Sequence, residues 1–146
     1  MIKLNSQYSL DVGVLVSNFL NYITLKPGQA TFMGSNEPHA YISGNCIEAM
    51  ANSDNVVRAG LTPKYKDVAT LTSMLTYKTG ELEVFEGTVV RNHEDYFISS
   101  FKSYINEFQC HEINIKNTNP DSCSMTSFIE SQVAFLLIVI NGQVKL

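Results

Sequence analysis

Short apolar runs broken by turn residues mark the middle of the chain. Across residues 36–67, NEPHAYISGNCIEAMANSDNVVRAGLTPKYKD, the runs HAYIS, CIEAMA and VVRA are separated by Gly44-Asn45, by Asn52-Ser53-Asp54-Asn55 and by Gly60. That rhythm predicts short strands joined by tight turns, as in a sandwich or barrel. Upstream, residues 19–25 alternate, with Phe19, Asn21, Ile23 and Leu25 on one side and Leu20, Tyr22 and Thr24 on the other. Such a run, rich in β-formers, predicts a strand. Lys26-Pro27-Gly28-Gln29 follows as a turn, because Pro suits the first central position of a type II turn and Gly the second. Residues 30–33 are then the next strand. The first seventeen residues are weakly patterned, and the apolar stretch 12–16 suits either a strand start or a short turn of helix.

After Gly60 the period changes. Asp67 is placed to cap a helix in which Val68, Leu71, Thr72 and Leu75 recur at helical spacing, ending near Tyr77 before Gly80. Residues 81–92, ELEVFEGTVVRN, read as a loop plus a strand, and 93–101, HEDYFISSF, as a partly ordered connection. Residues 104–115 alternate and predict a strand, and 117–122, NTNPDS, a loop. The apolar run 133–140 reads as a buried strand, and Asn141-Gly142 after it is the strongest hairpin signal in the sequence. The fold class expected from this pattern is all-β with one short helix between two β segments.

Composition narrows the field. Of 146 residues, 45% are hydrophobic, enough to fill a core, and only 16% are charged, too few for a solvated disordered chain. A net charge of −4 argues against a nucleic-acid or polybasic membrane surface, so an anionic ligand needs a local basic patch. The run 133–140 is too short to span a bilayer. Cys46, Cys110 and Cys123 are odd in number and not spaced as a zinc pair, which suits reduced thiols and a cytoplasmic location. The amino terminus has no signal-peptide pattern. No phosphate-cradling Gly-rich loop and no nucleophile elbow occur.

The run PHAYISG followed by IEAMANSDNVVRAGLTPKYKD resembles the signature of the type I phosphomannose isomerases. The likeness extends upstream through Asp11-Val12-Gly13-Val14 and FLNYITLKPGQATFM, fades after about Tyr77 and returns weakly in the closing run. Asn45 departs from the family, which usually has Asp there. The resemblance implies a zinc enzyme on a cupin-like jelly roll that interconverts mannose 6-phosphate and fructose 6-phosphate and feeds GDP-mannose synthesis. It covers only the later part of such an enzyme. A jelly roll has about eight strands and residues 1–77 supply about five, so an incomplete jelly roll is expected. Residues 1–80 are then the closing part of a catalytic cupin domain and 81–146 the opening part of a C-terminal one. The implied missing partner is the N-terminal catalytic segment.

The candidate chemistry follows, with its plainer readings. His39, behind Pro38, occupies the position of a family metal histidine, and imidazole suits zinc. A lone strand His is otherwise a hydrogen-bonded structural residue. The family's remaining ligand patterns, Gln-x-His and His-Lys-Pro-Glu, do not occur, and His93 and His111 read as surface or structural. Arg58, in NVVRAGLTPK, is the family's active-site Arg. A guanidinium grips two oxygens of a phosphate or an enediol, although out of context it is a surface cation. Lys64 is a second candidate cation in the substrate cleft, or else a solvated loop lysine. Lys66 is expected to be solvated. Tyr41, two residues from His39, shares its face in a strand and either contacts substrate or packs beside it. Glu48, a carboxylate in an apolar run, faces the cleft as an acid/base or a substrate contact, or else pairs with Arg58 across neighbouring strands. Asp54 reads as a turn-forming side chain. A non-catalytic cupin-like piece that binds a sugar phosphate or a partner is the alternative function.

Overall fold

A computed structural model of the chain describes residues 2–116 and 134–142. Two short helices open the chain, α1 (Ile2–Gln7) and α2 (Val12–Val16). Both stand beside the helix expected after Asp67. Of the two readings open for 12–16, strand start or helical turn, Asp11 decides for the helix, because its extended backbone and its side chain, accepting from the Gly13 amide, form an N-cap. Ser17 closes the helix by donating its hydroxyl to the Val14 carbonyl at 2.7 Å.

The Lys26–Gln29 turn forms as read. Gly28 has φ +81°, and the Gln29 amide donates to the Lys26 carbonyl at 3.0 Å. It leads into β1 (Gln29–Thr31). Residues 19–25 do not form the other arm of a hairpin; they carry no strand, and Asn21 instead donates to the Gly80 carbonyl at 2.6 Å. The reason lies in the turn, because a type II turn splays its flanking chains where a primed turn would align them. The partner of β1 is β2 (Val84–Glu86), antiparallel, with Ala30 opposite Phe85.

Residues 32–67 turn where expected, yet form no strand. The runs HAYIS, CIEAMA and VVRA find no neighbouring strand to complete a backbone ladder, and Tyr41, Ile42, Ile47, Met50 and Val56 are exposed. The next helix, α3 (Val68–Met74), is capped by Asp67, which accepts from the Thr70 amide at 3.0 Å and from the Thr70 hydroxyl at 2.7 Å.

A three-stranded antiparallel sheet follows: β3 (Thr88–Asn92), β4 (Tyr96–Ser100) and β5 (His111–Ile115), with β4 in the middle. The register shifts between Val89 and Arg91, as at a bulge. Residues 93–101, read as a partly ordered connection, contain the most buried strand described. Tyr96, Ile98 and Ser99 are buried there because β4 is flanked on both sides. The strand expected over 104–115 is cut to its second half, since Ser103 turns the chain by donating its hydroxyl to the Ile105 carbonyl at 2.8 Å. Gly87 lets β3 approach β4, for a Cβ there would sit 2.9 Å from that of Ser99. Phe32, after β1, packs on Tyr104 at 4.8 Å between ring centroids, and Tyr104 donates to Glu83, which also pairs with Lys102 at 3.3 Å. This cluster ties the smaller sheet to the larger.

The all-β expectation therefore holds in coarse form: both sheets are antiparallel and every described helix has seven residues or fewer. Among the described residues the strands form two small sheets and do not close into a barrel. The run 134–140 is not a buried strand. Phe135 and Leu136 are 62% and 85% exposed, and no described strand lies beside them. Beyond Val14, Tyr96 and Ile98, no described apolar side chain is buried. The 117–122 loop, Cys123, the Val133 start of the closing run and the strand after Asn141-Gly142 lie outside the described residues.

Candidate functional site

His39, Tyr41 and Glu48 come together without a strand to hold them. The His39 and Tyr41 rings meet edge to face at 6.0 Å between centroids, so they share a side as expected. The Tyr41 hydroxyl donates to Glu48 Oε1 at 2.9 Å. All three residues are exposed. Partial withdrawal of the Tyr41 hydroxyl from water, followed by the Glu48 carboxylate, pushes the phenol up to about 12. Tyr41 therefore stays protonated at neutral pH and acts as a donor, not a base. Glu48 is partnered by Tyr41 rather than by Arg58.

His39 has a defined orientation. Its Nδ1 lies 2.9 Å from the Glu37 carbonyl oxygen, which only accepts. Nδ1 therefore carries the proton, and in the neutral ring Nε2 keeps its lone pair. Metal-binding imidazoles are commonly oriented by such a carbonyl on the far nitrogen. Glu37 is itself held, accepting from the Gly34 amide at 3.2 Å and pairing with Lys78 at 3.1 Å. His39 thus fits the part of one metal ligand. A full set does not gather around it, for no three His, Cys, Asp or Glu side chains among the described residues are placed to hold a metal ion. The fit to zinc is that of a single donor.

Arg58 and Lys64 lie on a separate stretch. Both side chains are exposed, and neither is hydrogen-bonded or ion-paired to a described residue. What holds their segment is Asp11. Its Oδ1 accepts from the Gly13 amide at 2.7 Å and from the Leu61 amide at 3.0 Å, and its Oδ2 accepts from the Lys66 ammonium at 2.9 Å. Lys66, expected to be solvated, is thus an internal ion-pair partner that also donates to the Thr62 carbonyl at 3.2 Å. The Leu61 amide, then Lys66, then the Gly13 amide hold the Asp11 carboxyl down at about 2. Gly60 and Gly13 touch backbone to backbone; a Cβ on Gly60 would lie 2.8 Å from Gly13 Cα. Leu61 has φ +53°, and Leu10, just before Asp11, has φ +60°. A non-glycine residue held there costs about 1–3 kcal/mol and persists only where its surroundings fix it.

The pattern reading missed the role of Asp11. Its signal was an Asp directly before an apolar run, the ordinary mark of a helix start. Nothing local announced the second partner, because Leu61 is fifty residues away.

Comparison with known proteins bears on what this surface serves. The chain is 44% identical to the probable mannose-6-phosphate isomerase of Dictyostelium discoideum over 149 aligned residues, 100% of this chain and 31% of that protein. It is 38% identical to the human mannose-6-phosphate isomerase over 144 residues, 99% of this chain and 33% of that protein. To the Schizosaccharomyces pombe enzyme of the same name it is 56% identical over 81 residues, 56% of this chain and 20% of that protein. The chain is a relative of the mannose-6-phosphate isomerases. The family resemblance drawn from PHAYISG and NVVRAGLTPK is therefore upheld. The chain spans about a third of the length of the first two relatives. No family model and no solved structure matches it. No helix among the described residues is long and apolar enough to cross a membrane.

Proposed function

We propose that this chain carries part of the machinery of a zinc-dependent aldose–ketose isomerase acting on mannose 6-phosphate and fructose 6-phosphate. The observation that carries the reading is the similarity, along nearly all of this chain and about a third of theirs, to proteins named mannose-6-phosphate isomerase. Aldose–ketose isomerisation moves a proton between adjacent carbons through an enediol, and negative charge develops on the substrate oxygens. Fixed cations or a metal must meet that charge.

In this reading His39 offers Nε2 to zinc, with Nδ1 committed to the Glu37 carbonyl. Zinc, when bound, would supply Lewis-acid polarisation of the substrate oxygens, with His39 as one of its ligands. Arg58 is the catalytic cation and grips paired oxygens of the enediol or phosphate. Lys64, six residues on, adds a second positive charge for the phosphate. Tyr41 donates a hydrogen bond toward a sugar hydroxyl, and Glu48 orients it. The antiparallel sheets belong to a cupin-like jelly roll, with residues 1–80 in a catalytic domain and 81–146 in a second one. The location is cytoplasmic, and the product feeds GDP-mannose synthesis.

A second reading is a non-catalytic cupin-like piece that binds a sugar phosphate or a partner. It is favoured by His39 standing, among the described residues, outside any group of three His, Cys, Asp or Glu side chains placed to hold a metal ion. A coupled assay of fructose 6-phosphate formation with added zinc separates the two. Zinc-dependent turnover by the chain assembled with an isomerase N-terminal segment, slowed about a hundredfold or more in Arg58→Ala, supports the enzyme. Sugar-phosphate binding without turnover, in this chain and in its assembly with an isomerase N-terminal segment, supports the binding piece.

A further inference from the structure

We propose that Asp11 is a positioning residue for Arg58, acting through the backbone of the 58–66 segment. The inference rests on the reading of Arg58 as a substrate-binding cation.

Residues 58–66 contain no helix and no strand, so no ladder fixes the direction in which Arg58 projects. The segment is held at three nearby points instead, and all converge on one carboxylate or its neighbour. The Leu61 amide donates to Asp11 Oδ1 at 3.0 Å, and the Lys66 ammonium donates to Asp11 Oδ2 at 2.9 Å. Gly60 sits against the Gly13 backbone, two residues past Asp11, with no space for a side chain on either glycine.

The carboxylate side chain is only 9% exposed, so its bonds are sheltered from competing water. The backbone on both sides of the bridge is in the left-handed region, at Leu10 and at Leu61, where a Leu does not rest by preference. A free 58–66 segment relaxes Leu61 and swings the chain that carries Arg58. The strain is therefore held where it sets the course of a functional side chain. Lys66 adds a second arm: by binding Asp11 and the Thr62 carbonyl together, it closes the turn that contains Lys64.

The test uses the 146-residue chain and mannose 6-phosphate as the probe, with binding followed by NMR titration. Asp11→Ser keeps a helix cap but is too short to reach Leu61 and Lys66. Arg58→Ala is expected to weaken binding about tenfold, the loss of one charge-assisted contact. Asp11→Ser is expected to weaken it by a similar factor when Arg58 is present and not at all in the Arg58→Ala background. Hydrogen exchange at the Leu61 amide is expected to accelerate about tenfold or more, while the β4 amides are unchanged. Lys66→Met, which leaves the cap and the Leu61 bond, is expected to show a smaller loss that also vanishes without Arg58. A loss from Asp11→Ser that persists undiminished in Arg58→Ala overturns the proposal, as does an unaltered Leu61 amide. Unchanged binding in Arg58→Ala, with faster exchange at Leu61 in Asp11→Ser, overturns the reading of Arg58 itself and so is distinguished from failure of the bridge.

Discussion

Asp11 and Lys66, fifty-five residues apart in the chain, are joined by a 2.9 Å ion pair that also gathers the Leu61 amide onto the same carboxylate. The pair makes acid the natural probe of this joint. The folded Asp11 carboxyl titrates at about 2, below its ordinary value of 3.8. A depressed carboxylate contributes stability that is fully present above the unfolded value and is lost as pH falls through the folded one. The stability this joint contributes is therefore lost between about pH 4 and pH 2, and the Leu61 amide resonance of the wild-type chain is expected to shift with its midpoint near pH 2. In Asp11→Asn, which keeps the acceptor without the charge, that titration is expected to disappear. A Leu61 shift that survives the substitution unaltered counts against the assignment.

Gly60 offers a second, purely steric test. An added methyl meets the Gly13 backbone, which has no side chain to swing aside. Gly60→Ala is expected to destabilise the joint by about 1–3 kcal/mol, the usual cost of overpacking. Gly44, with open space around it but φ +109°, carries a different liability, one of backbone conformation alone. Urea melts of the two alanine variants compared with wild type measure the difference. Wild-type stability in Gly60→Ala removes the close-contact account.

Tyr41 reports on Glu48. With its partner present, the phenol is expected to titrate near 12 by ultraviolet absorbance. Glu48→Gln removes a negative charge whose effect on the phenol is second to that of desolvation, and is expected to lower the midpoint toward 10 without reaching it. A midpoint indifferent to the substitution shows that desolvation alone sets it.

His39 and Arg58 are expected to separate metal binding from chemistry. A catalytic zinc keeps three protein ligands or more and an open position, and a lone imidazole loses the metal to water and buffer. The purified 146-residue chain is therefore expected to show no zinc-dependent isomerase turnover. Assembled with an isomerase N-terminal segment, His39→Ala is expected to lose both zinc and activity. Arg58→Ala is expected to keep the zinc and slow turnover by about a hundredfold or more. Chelator-sensitive turnover by the short chain alone contradicts the ligand count.

Features under local chemical control were legible in the residues alone. Pro27-Gly28 set a type II turn, Asp67 set the start of α3, and the breaks at Gly44-Asn45, at Asn52-Ser53-Asp54-Asn55 and at Gly60 separated the apolar runs between β1 and α3. The run from Pro38 to Gly44 and the run around Arg58 were also enough to identify the isomerase relatives, because a long unusual string is informative without any coordinates. Whatever depends on a distant partner was settled only in the folded chain. A strand exists only where another completes its ladder, so β1 found β2 across more than fifty residues while the equally β-prone 19–25 run stayed unpaired. The stretch 93–101 became the most buried strand for the same reason, with β3 and β5 on either side. A cation reads as solvated until its counter-ion is seen, and for Lys66 that counter-ion stood at position 11.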